Sequence, residues 1–67
     1  MEMVKVVSSN VQEVGWENNT LYVQYNSGLY AYADVDQKLY EDLLKAESKG
    51  RFLAENVRGI KNYKRIK

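Results

Sequence analysis

Apolar and polar positions alternate through "VQEVGWENNTLYVQYN", residues 11–26, with Val14, Trp16, Leu21, Val23 and Tyr25 gathered on one side and Tyr22 and Gln24 on the other. A period of two marks a half-buried antiparallel pair of strands. Asn18-Asn19 interrupts the pattern, and asparagine tolerates the left-handed backbone that a two-residue hairpin loop needs. This loop sets Trp16 opposite Leu21 and Val14 opposite Val23.

A third strand follows in "GLYAYADV", residues 28–35, where Tyr30 and Tyr32 must point the same way because side chains alternate. The turn before it admits two registers. A two-residue Ser27-Gly28 loop pairs Tyr25 with Tyr30 and Val23 with Tyr32, and puts both rings on the Trp16/Val23 face. A three-residue Asn26-Ser27-Gly28 loop, with a bulge at Gly28, pairs Tyr25 with Leu29 and turns both rings outward. A one-residue slip exchanges the faces completely. The first register is preferred, because at about 25 cal/mol per Å² two aromatic rings offer a small core a few kcal/mol more than two alanine methyls.

The period then lengthens. In "DVDQKLYEDLLKAESKG", residues 34–50, Leu39, Tyr40, Leu43, Leu44 and Ala46 form one helical stripe. Asp34 and Gln37 have the spacing of an N-cap and its N3 partner, with Asp36 as the alternative cap. Lys45 and Lys49 suit the negative end of the helix dipole, and Gly50 can end the helix. "RFLAENVRG" predicts a shorter helix anchored by Phe52, Leu53 and Val57 and ended by Gly59. "IKNYKRIK" reads as a short strand or an ordered tail. No internal repeat, low-complexity segment or proline is present. Strands grouped before helices predict an α+β domain spanning residues 1–67. It would be a small antiparallel three-stranded sheet followed by two helices packed on one face, with a short C-terminal strand as an option.

Composition narrows the chemistry. The 67-residue chain contains neither cysteine nor histidine. This removes disulfides, thiolate metal sites and His-activated nucleophiles, and takes away the commonest transition-metal ligand. The acidic neighbours Glu41–Asp42 diverge on a helix, while Asp34 and Asp36 sit where one begins, so caps and solvated surface explain them. No catalytic residue, metal or small-molecule cofactor is expected. No apolar run reaches the ~20 residues of a membrane span, and no signal peptide is visible, so the expected location is cytoplasmic. The net charge of +1 conceals a division: residues 1–50 carry −4 and residues 51–67 carry +5. Such asymmetry points to an anionic partner, against the simpler reading of a solvated basic tail.

The chain resembles the KTSC family, small domains named for their place at the C-terminus of some lysyl-tRNA synthetases. Ser8-Ser9, Val14-Gly15-Trp16, Leu21/Val23/Tyr25, Gly28 and the central Tyr30-x-Tyr32 carry the resemblance first. It continues through Val35, Tyr40, Leu44, Ala46-x-Ser48-x-Gly50, Phe52, Val57-Arg58 and Tyr63. Asp36 stands where a proline opening the helix is expected, and Trp16 where tyrosine is usual. The family also occurs as stand-alone bacterial proteins, and its synthetase context implies RNA as a partner. Candidate phosphate contacts are then Lys49, Arg51, Arg58, Lys61, Lys64 and Arg65, with Tyr63 among them as the stacking residue. The alternative partner is a protein, or a second copy of the chain, recruited by an open sheet edge.

Overall fold

The computed structural model describes residues 1–67. Five strands and two helices run in the order β1 (Val4–Lys5), β2 (Val11–Glu17), β3 (Thr20–Tyr25), β4 (Gly28–Tyr32), α1 (Gln37–Lys45), α2 (Lys49–Asn56) and β5 (Tyr63–Arg65). All strand pairs are antiparallel, and the spatial order β1-β2-β3-β4-β5 follows the chain. The sheet is therefore five-stranded rather than three-stranded. The three-residue β5 is the optional C-terminal strand, and the two-residue β1 is the unexpected addition, too short to carry a period of its own.

The first hairpin forms as its residues dictate. Asn18 and Asn19 take φ of 53° and 58°, and Trp16 pairs with Leu21 and Val14 with Val23. Register shifts between Val11 and Glu13, so Gln12 is the extra residue of a bulge and Val11 turns inward beside Tyr25. Val11 is 1 % exposed. Without the bulge, Gln12 would occupy that core position.

The second hairpin corrects the predicted register while keeping the predicted face. Its loop is Asn26-Ser27, so Tyr25 pairs with Gly28, Val23 with Tyr30 and Leu21 with Tyr32. The shift from the predicted pairing is two residues, which leaves every side chain on its side of the sheet. Asn26 fixes the loop: its N–H donates to the Asn10 carbonyl, and its side chain bonds both the Ser9 carbonyl and Gln12. Gly28 is needed in the strand because a Cβ there would lie 2.6 Å from the Lys67 carbonyl oxygen.

Asp36, not Asp34, caps α1, its carboxylate accepting from the Leu39 N–H at 2.8 Å. Asp34 instead takes a positive φ in the turn after β4. The helix ends at Lys45, five residues before Gly50, and Ser48 starts α2 by accepting from the Arg51 N–H. Gly50 lies within α2, where a Cβ would come 3.0 Å from the Asn10 side-chain oxygen. The Ala46-x-Ser48-x-Gly50 segment is thus a corner: a helix stop, a helix start and a close approach to the segment before β2.

Val11, Val14, Leu21, Val23, Val35, Leu43, Leu53 and Val57 are fully buried between sheet and helices. Trp16 stands at the edge of this core, stacked at 6.3 Å on Tyr40, and its indole N–H donates to the Val35 carbonyl. The Val35 N–H reaches the Asn19 carbonyl in the first hairpin. Together they pin the β4–α1 connection to the hairpin.

Candidate nucleic-acid interface

Alternation in β4 puts Tyr30 and Tyr32 on the helix side, and antiparallel pairing with β5 adds Tyr63 opposite Tyr32. Tyr25 joins them from β3. Ring centroids lie 5.4 Å apart for Tyr25–Tyr30, 5.8 Å for Tyr30–Tyr63 and 5.9 Å for Tyr32–Tyr63. These separations fall in the favourable range for aromatic pairs. The rings grade from core to surface: Tyr32 is 3 % exposed, Tyr30 is half-buried and Tyr63 is 62 % exposed.

These rings line one side of a half-open cavity of about 750 Å³, closed on the other by Ala54, Arg58 and Gly59 at the end of α2. Asn10, Asn26 and Ser27 complete the rim. The helix ends at Asn56 with Val57 as its cap, two residues before Gly59. The Arg58 N–H bonds the Leu53 carbonyl, and Gly59, at φ 78°, turns the chain beyond the helix. The Arg58 guanidinium lies 5.6 Å above the Tyr25 ring, a cation–π contact. No acidic residue lines the cavity, and the three ion pairs of the protein all lie elsewhere. Arg58 therefore faces the cavity with its charge unpaired.

At the floor, the Tyr25 and Tyr32 hydroxyls are 2.8 Å apart. Burial, and next the hydrogen bond with Tyr32, hold the Tyr25 phenol well above its ordinary ionisation range, while the Arg58 charge opposes the shift. The Tyr25 hydroxyl stays protonated at neutral pH.

The remaining sequence candidates are dispersed. Lys49 donates to the Leu44 and Ala46 carbonyls and caps the end of α1. Arg51 pairs with Glu55 one turn along α2. Lys61 donates to the Asp34 carbonyl and lies in a shallow groove that also holds Asp36 and Asp42. Lys64 pairs with Ala31 and so faces the opposite side of the sheet. Arg65 shares the Tyr30 side, but its guanidinium is held by the Ser27 and Lys67 carbonyls. Of the seven candidates, only Arg58 and Tyr63 meet at the cavity. The residues that sequence reasoning kept for the core alone are Tyr25, Tyr30 and Tyr32. Their common face was readable from alternation, but the cavity exists only because β5 returns beside β4.

No group of three or more acidic side chains is placed to hold a metal ion, and no helix is long and apolar enough to cross a membrane. Comparison with curated proteins gives no match. Among solved structures, the chain is similar to the crystal structure of a KTSC domain protein from Yersinia pestis. The TM-score is 0.95 and the identity 28%, covering 98% of this chain and 97% of that one. The model of the KTSC domain matches residues 7–63, and no catalytic family is indicated. This chain belongs to the KTSC domain family.

Proposed function

We propose that this domain is a non-catalytic, cytoplasmic module that binds single-stranded RNA at the tyrosine cavity. The observation that carries the reading is the meeting of two accessible rings, Tyr30 and Tyr63, with an arginine that has no carboxylate partner. Unpaired bases stack on aromatic faces, and arginine supplies a phosphate contact. The synthetase context implied by the family resemblance agrees in kind but adds no residue.

A labelled single-stranded RNA oligonucleotide, followed by fluorescence anisotropy, tests the proposal. Tyr63 is largely exposed, so Tyr63→Ala should keep the fold. It should weaken binding roughly tenfold or more, the loss of one base–aromatic stack. Binding unchanged in that variant, or no binding by the unmodified protein, argues against the reading.

One observation favours a second reading, self-association. Val4, Val6, Val7, Leu44 and Ala46 line an apolar groove beside β1, at the open edge of the sheet. Sedimentation that shows a dimer weakened by Leu44→Glu would support it.

A further inference from the structure

We infer that the cavity is a site for one nucleotide: a base lies against Tyr30 and Tyr63, its phosphate meets Arg58, and the Tyr25–Tyr32 hydroxyl pair supplies a hydrogen-bond donor at the floor. The inference rests on the RNA reading but specifies its unit.

Three observations carry it. First, the cavity presents one available cation. Arg65 stands on the same face with its guanidinium committed to two backbone carbonyls, and Lys64 faces away. Lys49 and Arg51 are engaged at the α1–α2 corner. A single strand threaded through a binding track needs a succession of charges, whereas one arginine matches one phosphate. Second, the volume of about 750 Å³ lies within the range of small-molecule pockets. Its lining sets four tyrosine rings beside the polar side chains of Asn10, Asn26, Ser27 and Arg58, so it offers both a stacking surface and polar contacts. Third, the floor carries an uncommitted proton. Two phenols bring two hydroxyl protons, and their mutual bond uses only one. Neither hydroxyl has another protein partner, so the pair keeps one O–H to give to a phosphate or base carbonyl oxygen. A flat ring, an anion and a nearby acceptor together describe a nucleoside monophosphate.

The test is titration of the ¹⁵N-labelled protein with uridine and adenosine 5′-monophosphates, beside uridine, inorganic phosphate and a single-stranded RNA oligonucleotide. Either monophosphate should shift the Tyr30, Arg58 and Tyr63 amides and bind within about tenfold of the oligonucleotide. Uridine and phosphate alone should each bind at least about tenfold more weakly, since each makes half of the contacts. Arg58→Lys, which keeps the charge but loses the planar fork, should weaken the monophosphates more than uridine. Phosphate binding as well as the monophosphates overturns the inference in favour of a simple anion site. An oligonucleotide that binds while both monophosphates fail also overturns it, yet leaves RNA binding intact. Monophosphates that bind while the oligonucleotide fails uphold the one-nucleotide site and refute the RNA reading.

Discussion

The Tyr25 and Tyr32 hydroxyls show how one contact ties stability to the tyrosine cavity. Tyr25 is 8 % exposed and Tyr32 3 %, so each phenol depends on the other for its polar partner. Replacing Tyr25 by Phe leaves the Tyr32 hydroxyl buried and unpaired, at a cost of about 1–3 kcal/mol. Replacing both should cost less than the two single changes combined, because the double variant leaves no orphaned group. The same pair sets a pH dependence. An unfolded tyrosine ionises near its ordinary value of 10.0, whereas burial raises the folded Tyr25 above it. Above that pH the unfolded state binds fewer protons than the folded one, so stability must fall as pH rises. The slope reaches about 1.4 kcal/mol per pH unit for one such group. Denaturant titrations between about pH 9 and pH 11 should show this decline in the natural protein and a shallower one in Tyr25→Phe. Equal slopes would mean that Tyr25 is no more buried than an unfolded phenol.

At the level of elements, the two adjacent leucines of α1 have opposite fates. Leu43 is 1 % exposed and Leu44 37 %, although either fits the apolar stripe. Leu43→Ala should cost about 2–5 kcal/mol, a large part of a small domain's stability. Leu44→Ala should change it by no more than about 0.5 kcal/mol. Thermal melts of the two variants decide this, and similar losses would mean that the helix is rotated from its described position. Such a rotation is set by what α1 packs against, which its own period does not specify. The first hairpin, the tyrosine face and both helices were legible because alternation, helical period and asparagine turn chemistry act locally. Strand β1 and the true register of the second hairpin were not legible. The two residues of β1 carry no period, and the register depends on Asn26 gripping the segment around the start of β2 and on the chain near Lys67 crossing Gly28. Gly50 misled for a similar reason. It serves a close approach to Asn10 inside a helix, not a helix end.

Across the whole molecule, folding breaks up the basic segment that stands out in the sequence. Its charges are divided among a helix corner, an acidic groove and the two faces of the sheet, and only Arg58 reaches the tyrosine cavity unpaired. The site was therefore legible in part. Tyr63 and Arg58 were marked by composition, but their convergence on Tyr30 depends on two helices carrying the chain back to pair β5 with β4. This placement makes the salt dependence of RNA binding diagnostic. Each phosphate neutralised on a single strand contributes about −0.7 to the slope of log affinity against log salt. A site with one working arginine should show a slope near that value, not the several-fold steeper one that six clustered bases would give. Arg58→Ala should bring it close to zero. Lys64→Ala removes an equal charge from the opposite face of the sheet, and should leave both slope and affinity nearly unchanged. Both side chains are exposed and neither is in an ion pair, so the two variants should remain folded. Affinity measured across about 50–200 mM salt separates the possibilities. If Lys64→Ala flattens the slope as much as Arg58→Ala, the nucleic acid is held by the basic segment at large and the cavity is not its seat.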